Sequence, residues 1–200
     1  MRIVGVLALQ GDFEAHARAL EQVGARPVLV RKAAELDAAE ALVIPGGEST
    51  TMLRLLEDEG LFEALRAFGR ERPIFGTCAG AILLATEVTN PTQSSLGLMD
   101  IAVERNAYGR QIESRIVRLA PEPEFAREAG DGALEAVFIR APIIRRTGPG
   151  VRVYARYLGD PVLVAHGRHM AATFHPELSS DRRVHRLFLE RIEAGNARAG

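Results

Sequence analysis

From Ile3 to Leu9 the chain runs Ile-Val-Gly-Val-Leu-Ala-Leu without a polar side chain, the pattern of a central parallel strand covered on both faces. Gln10-Gly11-Asp12 closes this run. Asp12 is placed to cap a helix whose apolar stripe takes in Phe13, Ala17, Leu20 and Val23 and which stops at Gly24. A second strand (Pro27 to Val30), a short helical stretch near Leu36 and a third strand (Ala41 to Ile44) continue the alternation. Pro45-Gly46-Gly47-Glu48-Ser49-Thr50-Thr51 then reads as a glycine turn opening onto a helix through Met52, Leu55 and Leu56. A further helix over Leu61 to Phe68 leads to a short strand at Ile74 and Phe75 and an apolar helix from Ala79. This is a βαβ pattern.

The second half is less regular. Asn90 to Met99 is a polar connection, and Ile101 to Glu104, Ile112 to Leu119 and Ala136 to Ile139 read as antiparallel additions. Pro121 to Ala129 is a short helix or a loop. Val151 to Tyr157, Val162 to Ala165 and Met170 to Phe174 form a meander, after which Ser179 or Ser180 caps a last helix with Val184, Leu187, Phe188 and Ile192 on its apolar side. There is no internal repeat and no linker that would divide the chain. The 200 residues, 47% hydrophobic, therefore predict a single α/β domain over 1–200. Its doubly wound, mostly parallel sheet carries added antiparallel strands, with the site at the carboxyl ends of the parallel ones.

Composition narrows the function classes. A formal charge of −1 gives no reason to expect nucleic acid or an anionic membrane as partner. No apolar run approaches the roughly 20 residues that span a bilayer, and the N-terminus enters a strand pattern directly, so a cytoplasmic protein is expected. Cys78 is the only cysteine, which rules out an internal disulfide and a cysteine-rich metal site. Of the 25 basic residues only Lys32 is a lysine.

Cys78 itself sits in Gly76-Thr77-Cys78-Ala79-Gly80, between the short strand and the helix. Gly-x-Cys-x-Gly is the cysteine form of the nucleophile elbow, in which small residues on either side let a strained turn lift the nucleophile clear of the sheet. The amide of Ala79, at a helix N-terminus, is then placed to stabilise an oxyanion, and the helix end favours the thiolate. The alternative is a small buried hydrophobe, the commonest fate of a free cysteine. A partner later in the chain favours the nucleophile. His175-Pro176-Glu177 follows the last apolar strand, and in an extended segment residues two apart share a face, so a base and a carboxylate to orient it are present.

Other candidates stand around this pair. The amides of Gly46 and Gly47 can cradle an anion or complete an oxyanion hole, or the loop is an ordinary glycine turn. Arg105 and Arg140 each fall at the end of an apparent strand, where an arginine fork suits a carboxylate, although most arginines are solvated surface charges. Gln10 and Gly11 lie at the carboxyl end of the first strand. Gly11 either lets the chain turn into the first helix or leaves a neighbouring peptide free to reorient. His16, His166, His169 and His185 read as structural, and no metal site is assigned.

Taken together, these blocks resemble a known family, the class I, triad-type glutamine amidotransferases of flavodoxin-like fold. Leu9-Gln10-Gly11, Pro45 to Met52, Phe75 to Gly80, Val103 to Asn106 with Gly109-Arg110-Gln111, Phe138 to Pro142 and Phe174 to Leu178 resemble in particular the glutaminase subunits of pyridoxal 5′-phosphate synthase. The resemblance implies hydrolysis of L-glutamine to L-glutamate and ammonia, with Cys78 as nucleophile, His175 as general base and acid and Glu177 as the orienting carboxylate. It implies that Gly47, Glu48, Ser49, Arg105, Ile139 and Arg140 contact glutamine. Ala79 with Gly46 or Gly47 would hold the oxyanion of a thioester-forming reaction, and no cofactor is called for. The implied partner is the lyase subunit of the synthase, in a large hetero-oligomer, which receives the ammonia; docking would activate the site through Gln10 and Gly11. Another cysteine hydrolase of the same fold, such as a γ-glutamyl peptidase, and an inert binding or redox module are the remaining alternatives.

Overall fold

The computed structural model describes residues 1–107 and 114–197, with side chains of the last helix described as far as Ile192. Gly109, Arg110 and Gln111, and the first part of the strand expected over 112–119, lie outside the described residues.

A seven-stranded sheet organises the chain. Its parallel part is built from β1 (Ile3–Leu7), β2 (Arg26–Val30), β3 (Ala41–Ile44), β4 (Ile74–Thr77) and β12 (His169–Ala172), in the order β2-β1-β3-β4-β12. β11 (Asp160–His166) and β10 (Val151–Tyr157) extend it antiparallel beyond β12, as the meander predicted. Strand order reverses direction between β1 and β3, so loops at the carboxyl ends of β1, β3 and β4 meet in one crevice.

Alternate residues of the parallel strands enter two cores. Val4, Val6, Val43 and Phe75 pack with Leu20 of α1 (Phe13–Gln22) and Val184 and Phe188 of α6 (Arg183–Ala197). Leu7, Leu42, Ile44 and Ile74 pack with Met52 and Leu56 of α2 (Ser49–Asp58) and Leu61 and Leu65 of α3 (Leu61–Glu71). Burial on both faces is why these strands read as unbroken apolar runs. The first run nevertheless leaves the ladder at Leu7, although the amide of Ala8 still bonds Val30 O at 2.8 Å. The buried face of α1 is Ala15, His16, Ala19 and Leu20, one position off the expected stripe, with Ala17 only half-buried.

Two smaller sheets complete the architecture. β5 (Ala85–Thr89) follows α4 (Ala79–Leu84) without a break and pairs with β6 (Met99–Glu104), which also pairs with β9 (Ile143–Thr147). β6 pairs antiparallel with β9, as expected of an addition at Ile101 to Glu104, but the β5–β6 pair is parallel, a correction to that expectation. The connection between them runs back along α4, with Leu96 N–H on Leu83 O at 2.7 Å and Leu98 N–H on Leu84 O at 3.0 Å, so β6 re-enters in the direction of β5. β7 (Arg115–Leu119) and β8 (Leu134–Phe138) pair antiparallel, as expected, and the stretch between them, read as a short helix or a loop, contains α5 (Pro123–Ala129), with proline at its start. The last helix is not capped by Ser179 or Ser180. A 3₁₀ turn over Pro176–Leu178 intervenes, Ser179 Oγ takes the Asp181 amide at 2.9 Å, and the Asp181 carboxylate takes the Arg183 amide at 3.0 Å. No helix among the described residues is long and apolar enough to cross a membrane.

α4 lies unusually close to the sheet. A Cβ at Gly80 would fall 2.1 Å from the carbonyl oxygen of Ile44, and one at Gly76 would fall 2.4 Å from the carbonyl oxygen of Gly80. Neither neighbour is a side chain that can swing away. Gly80→Ala is therefore expected to cost about 3 kcal/mol, the upper part of the range for overpacking. Urea unfolding measures this, and a wild-type midpoint would show that α4 does not rest on β3 in this way.

Candidate active site

β4 delivers its last residue, Thr77, directly to Cys78, whose φ of 49° and ψ of −106° put a non-glycine residue in a sparsely populated region. Such strain persists only where the surroundings over-determine it. Here the Cys78 amide is tied to Ala172 O of β12 at 2.8 Å, and the glycines on either side let α4 begin at Ala79 immediately. The thiol is buried, 3.9 Å from the carbonyl oxygen of Ile139. Ala79, as the first residue of α4, has an amide with no partner inside the helix.

His175 follows β12. Three residues past Ala172, the amide of His175 bonds Val137 O at 2.8 Å, and its Nδ1 lies 2.8 Å from Oε1 of Glu177, whose side chain is completely buried. His175 and Glu177 do not meet through the alternation of an extended strand. Pro176, with its fixed φ, opens the 3₁₀ turn instead, and the turn folds the carboxylate back onto the imidazole. Burial opposes the charged form of His175, but hydrogen bonding to Cys78 and Glu177 outweighs it and pushes its pKa up to about 10. At neutral pH the imidazole is therefore held protonated between a sulfur and a carboxylate.

Both groups open onto a cleft of about 320 Å³, enough for a small metabolite. Gly47, Glu48, Ser49, Arg105, Ile139 and Arg140 all line it, together with Ile82, Asn106 and Pro142, which the sequence did not single out. Gly46 packs against both Cys78 and His175, since a Cβ there would lie 2.5 Å from His175 Cε1 and 3.2 Å from Cys78 Cβ. Gln10 and Gly11 sit behind this loop. Gln10 Oε1 accepts the Glu48 amide at 3.1 Å, and Gly11, at φ +82°, faces the Gly46 carbonyl so closely that a Cβ would fall 1.8 Å from the oxygen.

The charged residues of the cleft divide their work. The carboxylate of Glu48 caps α2, accepting from Thr50 N (3.0 Å), Thr51 N (2.7 Å) and Thr51 Oγ1 (2.7 Å). Desolvation alone would raise its pKa; these hydrogen bonds overcome that and bring it down to about 2. Arg105 donates to Thr50 Oγ1 at 2.6 Å and stands 3.6 Å from Glu48, so its charge is largely matched within the protein. Arg140, at φ 41°, has no side-chain partner among the described residues. Ser49 Oγ donates to Gln93 Oε1 at 3.1 Å, a support that no feature of the polar 90–99 segment announced.

Buried contacts behind Cys78, His175 and Glu177 also escaped the sequence reading. His16 Nε2 is 3.1 Å from Thr77 Oγ1 and 3.2 Å from Glu177 Oε2, and His16 Nδ1 is 3.1 Å from His185 Nε2. Their signal was periodicity, because His16 falls three and four residues before Ala19 and Leu20 on the buried face of α1. A larger hollow of about 460 Å³, edged by Arg66, Arg70 and Arg168, lies at the amino ends of β4 and β12 and holds no nucleophile.

A cysteine on a strand–helix elbow, in contact with a carboxylate-held histidine beside a cleft at the switch point of a parallel sheet, is the arrangement that a cysteine amidohydrolase requires. Residues 6–194 match the model of the SNO glutamine amidotransferase family, and the chain belongs to that family. It is 61% identical over 192 residues to the pyridoxal 5′-phosphate synthase subunit PdxT of Solibacter usitatus, covering 96% of this chain and 100% of that one. With the PdxT subunit of Koribacter versatilis it shares 56% identity over 97% of each chain. A crystal structure of a glutamine amidotransferase superposes with a TM-score of 0.85 at 47% identity, covering 95% of this chain and 98% of the other. The α/β fold with its mostly parallel central sheet is thus that of its family.

The capping role of Glu48 gives a pH-dependent expectation. Its folded pKa lies below the ordinary value of 4.5, so the stability it contributes is present above about pH 4.5 and is lost as pH falls through about 2. Glu48→Ala should cost about 1 kcal/mol near neutral pH, the usual size of a lost cap. Denaturant unfolding from about pH 7 down to about pH 3 should show the gap to wild type narrowing. A gap that stays constant would mean that the charged carboxylate is not the cap.

Proposed function

We propose that this chain is the glutaminase subunit of a pyridoxal 5′-phosphate synthase, working in the cytoplasm as a single domain docked to the synthase subunit. The observation that carries the reading is the Cys78–His175–Glu177 arrangement in a cleft of glutamine size, in a chain of the SNO family. The names of the PdxT relatives support the pathway and the partner.

The chemistry follows from the charges. The Cys78 thiolate attacks the side-chain amide carbon of glutamine, and the oxyanion is held by the Ala79 amide and one from the Gly46–Gly47 loop. The C–N bond breaks as His175 passes its proton to the departing nitrogen, releasing ammonia and leaving a γ-glutamyl thioester. His175, now neutral, takes a proton from water. The hydroxide oxygen bonds to the thioester carbon, the thiolate leaves, and glutamate is formed. Arg140 and Arg105 meet the α-carboxylate of glutamine, Glu48 and Ser49 lie beside its α-amino end, and Ile139 walls the cleft.

Removing the nucleophile should abolish turnover, since a nucleophile that acts in concert with its base is worth on the order of 10⁶ in rate. Cys78→Ala is thus expected to be inactive yet folded. His175→Ala should be more damaging than Glu177→Gln, because the carboxylate holds the imidazole tautomer and does not itself exchange the proton. Steady-state glutamate release orders these variants. Appreciable turnover by Cys78→Ala, or a Glu177→Gln enzyme slower than His175→Ala, would overturn the roles.

Gln10 and Gly11 make the oxyanion loop adjustable from behind. The Gly46 carbonyl rests on Gly11, and in a trans peptide the Gly47 N–H points the opposite way, so any shift at Gly11 re-aims that amide. The isolated chain should hydrolyse glutamine slowly and accelerate at least about tenfold with the synthase subunit, or ~1.4 kcal/mol of transition-state stabilisation. Gly11→Ala should lose most of that acceleration. Equal rates with and without saturating partner would refute the docking switch, and a fully activated Gly11→Ala would place it elsewhere.

A further inference from the structure

The triad uses only one oxygen of Glu177. Oε1 holds His175, whereas Oε2 is buried, makes no aligned hydrogen bond, and has His16 Nε2 3.2 Å away. That approach is a close electrostatic contact, since the aligned partner of Nε2 is Thr77 Oγ1 at 3.1 Å. Thr77 directly precedes Cys78. A single imidazole, fully buried and carried by a third element, α1, therefore touches both the residue leading into the nucleophile and the carboxylate that orients the base.

The placement of protons follows from the partners. Burial, reinforced by His185, His175 and Arg182, keeps the His16 pKa well below the ordinary histidine value, and burial with Arg182 pushes His185 down to about 3. Both imidazoles are neutral, one N–H each, and they share the 3.1 Å contact between His16 Nδ1 and His185 Nε2. If His16 were the donor there, its bare Nε2 would face a carboxylate oxygen, and the His185 proton would sit on Nδ1, which has no partner. If His185 is the donor, His16 keeps its proton on Nε2, aimed at Thr77 and close to Glu177, and on the two rings only a lone pair on His185 is left unmatched. An orphaned lone pair costs less than a buried N–H without an acceptor plus a lone pair against a charge.

We propose that His16, in the Nε2–H form set by His185, is a positioning residue that holds the second oxygen of Glu177 and so fixes the orientation of His175 against Cys78. The proposal rests on the triad reading above. A carboxylate held at both oxygens keeps its plane; held at one, it can rotate away from the imidazole it orients.

Two amides separate this role from a merely structural one. In His16→Gln the side-chain nitrogen reaches the position of Nε2 and keeps a donor toward Glu177. In His16→Asn the amide reaches only the position of Nδ1, keeping His185 and abandoning Glu177. With the synthase subunit present, His16→Asn is expected to lower kcat about tenfold or more with KM within about twofold, the pattern of a lost electrostatic contact that positions a charged group. His16→Gln should recover to within about threefold. The alkaline limb of kcat/KM, where His175 loses its proton between Cys78 and Glu177, should move down by about half a unit or more in His16→Asn, because a loosened carboxylate stabilises the imidazolium less. The loss should also be less than additive with that of Glu177→Gln. Equal losses in both amides with an unmoved limb, or full additivity, would overturn the proposal. So would nitrogen NMR of the wild-type protein showing the His16 proton on Nδ1, a readout that needs neither activity nor a folded variant. Failure of the triad reading appears separately, as glutamine turnover by Cys78→Ala.

Discussion

The site depends on how closely α4 approaches the carboxyl ends of β3 and β4. Two bare α-carbons, Gly76 and Gly80, make that approach possible, and the carbonyls of Ile44 and Gly80 occupy the space where side chains would be. With α4 pressed against the sheet there is no room for a relaxed turn, so Cys78 takes its strained conformation and the thiol is presented at the crevice. β12 then serves as a common reference. Its Ala172 carbonyl fixes the Cys78 amide, and the same strand runs on to His175 within three residues. Cys78 and His175 are thus positioned from one rigid neighbour rather than from two independent loops.

Two glutamates show how environment assigns different work to the same side chain. Glu48 keeps its charge near the surface because three donors of the first turn of α2 surround it, and it in turn matches Arg105. Glu177 is sealed from water, with one oxygen on His175 and the other against His16. A buried carboxylate is costly without partners. Here its partner is the His175 imidazole, so the burial that penalises Glu177 also makes its hold on His175 effective. The Gly46–Gly47 loop completes the arrangement, lying between Cys78 and His175 on one side and Gln10 and Gly11 on the other.

Much of this was legible in the sequence because the signals were local. Unbroken apolar runs marked the parallel strands, glycines two residues either side of Cys78 marked the elbow, and Pro176 between His175 and Glu177 marked a fixed backbone. Of the residues that the family resemblance implied for glutamine, Gly47, Glu48, Ser49, Arg105, Ile139 and Arg140 line one cleft with Cys78 and His175. What escaped was set by distant packing. The parallel entry of β6 depends on a connection that runs back along α4, and β5 and β9 are short strands of mixed polarity in weakly patterned sequence. The 3₁₀ turn at Pro176 replaced an extended segment because proline favours opening a turn as well as interrupting a helix. His16 looked like an ordinary helical histidine. Its meaning comes from Thr77, Glu177 and His185, which lie 61, 161 and 169 residues away in sequence.

The central claim is that Cys78 forms a covalent bond to glutamine. Acid quenching of the protein during turnover with glutamine and the synthase subunit, followed by mass spectrometry of the peptide containing Cys78, tests it directly. The account predicts a γ-glutamyl group on Cys78 that disappears on exposure to hydroxylamine, as a thioester does. Steady glutamate production with Cys78 unmodified, or with the acyl group on another residue, would contradict it.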